Sequence, residues 1–429
     1  MKRKYFALAG SALLLATGLA AMSTPSWASS LDVSVNAGPS VDVKVGPSVE
    51  VDVDHVVDVT IDHSIKVCTN LLPGQAACTA RQAADRNGHP VSNASPPSTA
   101  LTPAQLRDAY KLTGTSSGGR TVAIVDAYGY PNLANDLATY RAQFGLPACT
   151  VASGCLRILN ENGGTRLPAF NLGWAQEQSL DVDAVSAACP DCKIVVIQAN
   201  SASFSDLGTG VQTAAKIPGV VAISNSYGGS DASDATYGKY YNFPGIAVTA
   251  SAGDSGYKGG SYPADSSYVT AVGGTSLSAA PGTARGWTES VWSGTGSGCS
   301  SYNAALPAAA PYNTGCAKRA MNDVAAAADP NTGGLAVYYP TSSKSSTWGQ
   351  FGGTSEASPI IASVYALSGN TGSAATGTYA NSIPYGHPGS LFDVTNGTNG
   401  SCSPSLWCTA GTGWDGPTGL GTPNGTGAF

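Results

Sequence analysis

Residues 121–126 read Thr-Val-Ala-Ile-Val-Asp, an apolar run closed by an acid and too short for a helix, which makes it a buried strand. The next segment, 131–144, sets Leu133, Leu137, Tyr140 and Phe144 on one helical face. After a second helix comes another buried strand at 193–198, Lys-Ile-Val-Val-Ile-Gln. A helix near 206–216, a strand at 220–224 and a strand at 246–251 continue the series. This alternation predicts one α/β domain over 101–429, with a mainly parallel central sheet covered by helices on both faces. Ligand-facing residues in such sheets lie where the strands end at their carboxyl edge. Three polar clusters fall there: Asp126, the run Ser224-Asn-Ser-Tyr-Gly228, and Asp254-Ser-Gly256.

The region before the domain has a different composition. Residues 1–28 carry Lys2, Arg3 and Lys4, then an apolar run, then small residues, as in a secretory signal cut before Ser29. The apolar run is short and broken by glycine, and no later stretch reaches the roughly 20 apolar residues needed to cross a bilayer. The expectation is a secreted, extracellular protein with no membrane span after signal removal. From 31 to 67 valine alternates with polar residues at strand period, with Gly38-Pro-Ser40 echoed by Gly46-Pro-Ser48. Residues 86–102 are rich in Pro, Ser, Asn and Gly and read as a linker. Together 29–100 form a valine-rich segment and linker, either a reduced propeptide or a spacer.

Ten cysteines fall into close pairs: Cys68 with Cys78, Cys149 with Cys155, Cys189 with Cys192, Cys299 with Cys316, and Cys402 with Cys408. Five local disulfides are the simplest connectivity in an oxidising compartment. A zinc site at Cys189-Pro-Asp-Cys192 would need a second such pair or a histidine cluster, and neither accompanies it. The 21 basic and 27 acidic side chains give a net charge of -6, with no basic field to displace counterions, so nucleic acid is excluded as a partner. Sparse charge also means that few cations repel one another once carboxylates protonate, which permits function at low pH.

The segment Gly352-Gly-Thr-Ser-Glu-Ala-Ser-Pro359, followed by an apolar helix, carries the clearest chemical signal. Glycines allow close backbone approach, and a serine opening a helix sits near the positive end of the macrodipole, which favours a developing alkoxide. Ser355 is therefore a nucleophile candidate, with an ordinary N-cap as the alternative. A serine needs a base. The four histidines are His55, His63 and His89, all before the domain, and His387 in a Pro- and Gly-rich loop. A Ser-His-Asp arrangement does not fit, and Ala357 stands where a hydrolase elbow requires glycine. Carboxylates are better placed: Glu177 and Asp181 stack one turn apart on a helix whose other face carries Leu180, Ala184, Val185 and Ala188. On a surface such a pair is merely tolerated; in a cleft the two can share a proton.

These motifs, in order, resemble the sedolisin family of serine-carboxyl peptidases, of the secreted bacterial type with a subtilisin-like fold. The resemblance covers 101–429 and rests on Ala100-Leu-Thr-Pro-Ala-Gln-Leu106, Glu177 to Asp181, Ser251-Ala-Gly-Asp-Ser-Gly256, Val272-Gly-Gly-Thr275, Gly353-Thr-Ser355 with Pro359, and the glycine-rich tail. It implies that Ser355 attacks a peptide carbonyl, Glu177 accepts the proton, Asp181 orients Glu177, and protonated Asp254 donates to the oxyanion. That last role requires a raised pKa or an acidic medium. Asp126 would extend the carboxylate network behind the base, although Tyr227 stands where relatives that use that network carry tryptophan. The resemblance also implies one structural Ca2+, held by the side chains of Asp393 and Asp415 and the carbonyls of Val394, Gly411 and Gly413, an all-oxygen cage.

The resulting expectation is a secreted, monomeric endopeptidase that acts on proteins or peptides at acidic pH. The alternatives are a catalytically inactive surface or binding protein on a peptidase fold, and an exopeptidase that releases tripeptides. A long prosegment is usual in the family, and only residues 29–99 are available for one here.

Overall fold

The computed structural model describes residues 63–69 and 74–429, so the signal reading and the valine-rich run up to residue 62 lie outside the described residues. The central sheet contains β1 (Thr121–Ala127), β2 (Leu156–Asn160), β3 (Lys193–Ala199), β4 (Val220–Asn225), β5 (Ala247–Ser251), β6 (Thr270–Ala279), β7 (Trp287–Val291) and β8 (Val324–Ala327). Their spatial order is β7-β6-β5-β4-β1-β3-β2, with β8 on the other side of β6. Every pairing is parallel except that of β6 with β7. The apolar run of the first strand thus lies mid-sheet, between β3 and β4.

Period-two alternation divides the core. Val122, Ile124, Ile194 and Val196 face one cluster, whereas Ala123, Val125, Val195 and Ile197 face the other. The first cluster is covered by α1 (Pro103–Ala109), α2 (Leu133–Gln143), α3 (Leu172–Ala188) and α5 (Thr354–Ser368), and the second by α4 (Phe204–Ala215). Helices on both faces meet the expected architecture.

Local signals set the helix starts. Thr102 and Gln105 form a capping box on α1, Asn171 accepts the Trp174 N–H on α3, and Ser203 accepts the Asp206 N–H on α4. α3 is buried on all sides from Glu177 to Ala188, so Glu177, Gln178, Ser179, Asp181, Asp183 and Ser186 are all enclosed. The five expected disulfides are all formed.

A second sheet runs along one side of the domain. Its long hairpin, Leu335–Ser342 and Ser345–Gly352, is joined by Ser64–Lys66, Arg81–Ala83 and Ser92–Asn93. Leu101 bridges Leu335, so the stretch read as a linker is paired at both ends. No helix among the described residues is long and apolar enough to cross a membrane.

A buried ion pair ties the tail to the sheet. Arg319 and Asp323 are 1% and 0% exposed, and Nη2 lies 2.6 Å from Oδ2. The same carboxylate accepts the Ala271 N–H at 2.8 Å and the Tyr385 hydroxyl at 2.8 Å. Removing one partner strands the other charge in the core, at a cost of about 3–5 kcal/mol. Asp323→Ala is therefore expected to lower the urea-unfolding free energy by that amount, and an unchanged midpoint would show the pair to be dispensable.

Candidate active site

Four elements converge at the carboxyl edge of the sheet. Gly353, at φ 94°, caps the start of α5, and a Cβ there would collide with the Thr79 carbonyl oxygen, so the position needs glycine. Two residues on, Ser355 is fully buried. α3 supplies Glu177 and Asp181, β1 ends in Asp126, and the turn after β5 supplies Asp254.

Asp181 Oδ1 accepts the Ser226 hydroxyl at 2.7 Å, and Ser226 comes from the turn after β4. Neither oxygen of Asp126 has a donor. Its carboxyl nevertheless lies close enough to Asp181 for the two to share a proton. Burial pushes Asp126 well up, and it pushes Asp181 and Glu177 up as well, each reinforced by the charge of a neighbouring acid. Among the described residues the ion pairs are His89–Asp85, Arg285–Glu289 and Arg319–Asp323, none of which reaches this cluster. The described histidines, His63, His89 and His387, make no hydrogen bond to Ser355.

Asp254 sits across from Glu177. Its Oδ1 accepts the Thr354 N–H at 2.8 Å and the Thr354 hydroxyl at 2.9 Å, while the shielded Oδ2 has no partner. Burial raises its pKa to about 6 against the opposing pull of the Thr354 donors and of Arg81 and Lys66. The residue as a whole is half-buried, but the atom that matters is shut off from water.

An extended segment of the chain itself crosses this cluster. Ala77 and Cys78 pair antiparallel with Gly228 and Tyr227, and the Thr79 N–H donates to the Ser226 carbonyl at 3.2 Å. On the far side Arg81 and Gln82 pair with Gly352 and Phe351. Between them the Thr79 carbonyl accepts the Ser355 N–H at 3.4 Å, and the Ala80 N–H donates to Glu177 Oε2 at 2.9 Å. The Thr79 hydroxyl donates to Ser251 at 2.7 Å and so can only accept from Ser355 Oγ, 2.9 Å away, whose one proton also has the Ser226 carbonyl as an acceptor at 3.4 Å. Glu177 Oε1 has no hydrogen-bond partner, although Ser355 is near enough to favour the ionised form of Glu177.

The structure thus brings Ser355, Glu177, Asp181, Asp254 and Asp126 into one cluster. Asp393 and Asp415 lie apart from it, in the tail. Asp415 is buried, and burial lifts its pKa to about 7, with nearby Asp393 adding to the rise. Gly411 donates its N–H to Asp415 at 3.1 Å and Gly413 donates to Asp393 at 2.9 Å. Sequence reasoning missed Thr79 and Ala80, as well as Thr354 and Ser251. It noted the run holding Ser226 without seeing its bond to Asp181. Tyr227 donates its hydroxyl to Asn225 at 2.9 Å rather than to any of the acids.

Folding raises the pKa of several acids, so the native state binds more protons than the unfolded chain above about 3.8. Their stabilisation is full below that value and lost as pH rises through about 6 for Asp254 and about 9 for Asp265, a buried acid next to Asp231. The urea midpoint is expected to be higher at pH 4 than at pH 8. A midpoint that rises towards neutrality would mean that these groups are not buried as described.

No established family profile matches the chain. Kumamolisin from Bacillus sp. (strain MN-32) is 32% identical over 364 residues, 76% of this chain and 62% of that protein, so the chain spans under two thirds of its relative's length. A tripeptidyl-peptidase of Aspergillus fumigatus is 39% identical over 77 residues, 17% of this chain and 12% of that protein. The structure of Pseudomonas sedolisin, a serine-carboxyl proteinase, superposes with a TM-score of 0.62 at 24% identity, covering 76% of this chain and 96% of the other, a likeness of fold. With 32% identity to kumamolisin sustained over 364 residues, on the fold of sedolisin, the chain belongs to the sedolisin family.

Proposed function

We propose that this protein is an exported serine-carboxyl endopeptidase that hydrolyses proteins or peptides in acid. The observation that carries the reading is the meeting of one buried serine with acids from three other elements, in a cleft whose edges bind an extended peptide. Ser355 would attack the carbonyl carbon and pass its proton to Glu177, with Asp181 and Asp126 behind the base. Glu177 would then return the proton to the departing amine. Protonated Asp254 Oδ2 and the Ser355 N–H would receive the oxyanion, since the Thr79 carbonyl already points at that N–H. Disulfides throughout the domain suit an extracellular setting.

The course of the bound strand favours internal cleavage over tripeptide release. Upstream of Thr79 it continues through Ala76, whose N–H donates to Ala202, to Gln75, which bridges Ser203. A tripeptidyl exopeptidase must close its cleft three residues before the cut, and this cleft runs on. Cavities of about 470 and about 700 Å3 flank the strand, bordered respectively by Asp254 and by Trp174.

On denatured protein, Ser355→Ala and Glu177→Gln are expected to lower kcat by about 10²–10⁴-fold. Activity should fall as pH rises through about 6, because Asp254 donates only while it holds its proton. Asp254→Asn should lower kcat and flatten that limb, since an amide does not titrate; a limb that persists would assign it to another group.

We further propose that the tail binds one Ca2+. Two carboxylates lie near each other there, one of them buried with its pKa raised to about 7 chiefly by that burial, and a cation would neutralise both. Among the described residues no group of three or more His, Cys, Asp or Glu side chains could hold a metal, so backbone carbonyls such as those of Val394, Gly411 and Gly413 must complete the set. Millimolar Ca2+ should raise Tm by several degrees, chelator should reverse this, and Asp415→Asn should abolish the shift. Equal shifts in variant and parent would place the ion elsewhere.

A further inference from the structure

The segment lying over Ser355 is closed on itself. Ser64, Ile65 and Lys66 pair antiparallel with Ala83, Gln82 and Arg81, and the Val67 N–H donates to the Ala80 carbonyl at 3.1 Å. The next residue, Cys68, is bonded to Cys78. Residues 64–69 and 74–83 therefore form the two arms of a hairpin that grip the chain on either side of the Thr79–Ala80 bond. The cleft grips the same stretch twice more, through 226–228 and 351–352. A strand held by main-chain hydrogen bonds on both sides of one bond, with that bond's carbonyl on the Ser355 N–H and its nitrogen on Glu177, is presented as a substrate.

We propose that this hairpin is a tethered inhibitor of the peptidase: Thr79–Ala80 is its reactive bond, and the Cys68–Cys78 disulfide keeps the cleft filled after that bond is cut. The proposal rests on the peptidase reading above. Attack by Ser355 Oγ on the Thr79 carbonyl forms an ester, breaks the C–N bond and releases the Ala80 amine, protonated by Glu177. Water then hydrolyses the ester to a Thr79 carboxylate, or the Ala80 amine attacks it, returns a proton to Glu177 and restores the peptide.

The geometry favours restoration. Ala80 stays bonded to Val67, and Arg81 to Ala83 stay paired with 64–66, so the amine cannot leave. Cys78, one residue before the acyl group, is fixed to Cys68, one residue after Val67, so the acyl end cannot leave either. Both ends are held at a high effective concentration. Without the disulfide, the stretch from Gln75 to Thr79 would be retained only by its main-chain bonds to 202–203 and 226–228. A further brake lies in Thr79 itself, whose hydroxyl at 2.9 Å, together with the Ser226 carbonyl at 3.4 Å, competes with Glu177 for the Ser355 proton.

The full secreted chain, Cys68→Ser/Cys78→Ser, Thr79→Val and Ser355→Ala are incubated at pH 4, and each is followed by intact mass, amino-terminal sequencing and turnover of denatured casein. The parent is expected to reach a constant mixture of whole and nicked chain with low turnover. The double-serine form should be cut to completion, with Ala80 as the new terminus and at least tenfold higher turnover. Thr79→Val should nick about tenfold faster, the worth of one hydrogen bond. Ser355→Ala should stay whole. Should the double-serine form fail to fold by circular dichroism, the Thr79→Val rate decides, and a rate equal to the parent's overturns the proposal. High turnover by a parent with an intact Thr79–Ala80 bond overturns the inhibitor and leaves the peptidase standing. No turnover and no nicking in any form overturns both.

Discussion

Everything at this site follows from carboxyl groups removed from water with, among the described residues, no ion pair to meet them. α3 runs between α2, α5 and the strand Leu335–Ser342, so whatever side chains it carries are enclosed. It carries Glu177, Asp181 and Asp183, and Asp126 faces Asp181 from the sheet. An isolated carboxylate cannot persist in such surroundings; the group takes up a proton or shares one. Proton binding is thus a condition of the fold before it is a property of any reaction. The chemistry that suits such a site moves protons between oxygens and stabilises an oxyanion with an un-ionised acid, which is what Asp254 can offer across the cleft.

The parts of the fold that sequence reasoning reached were those with strong local period. Apolar runs at 121–126 and 193–198 have no other stable reading than buried strands, and each appears within a residue or two of its expected bounds. The cysteine pairs were legible because short spacings leave few alternatives. β6 was not, because its sequence Thr-Ala-Val-Gly-Gly-Thr-Ser-Leu-Ser-Ala lacks bulk in the middle. The reason is packing: a Cβ on Gly274 would press on Ala328, Trp292 and Thr354, so glycine there is a seat for neighbours.

The acids could be selected by spacing alone, since i and i+4 on a helix share a face, and their neighbourhood to Ser355 needed the fold. Thr79 lay beyond any such reasoning. Its contact with Ser355 spans 276 residues, and its own surroundings, Cys-Thr-Ala-Arg, carry no periodic signal. The valine-rich repeat and the Pro- and Ser-rich stretch drew the reading towards spacer and linker, since composition reports what a segment resembles and not what it pairs with. Its pairing partners, Phe351 and Gly352, sit at the end of a strand that leads directly into Ser355.

That continuity connects the cleft to its occupant. The strand Ser345–Gly352 runs into α5 through Gly353, so one backbone both binds the segment after Ala80 and sets the Ser355 N–H against the Thr79 carbonyl. A peptide bound this way would be expected to react, and what separates binding from reaction is the Ser355 proton. In the present arrangement that proton has Thr79 Oγ1 at 2.9 Å and the Ser226 carbonyl at 3.4 Å as acceptors, Thr79 in turn donates to Ser251, and Glu177 Oε1 is left without a partner. The relay is complete in its parts and open at one hydrogen bond. A segment can therefore occupy the cleft in a substrate's position and persist there, because its own side chain competes with the base for the hydrogen on which attack depends.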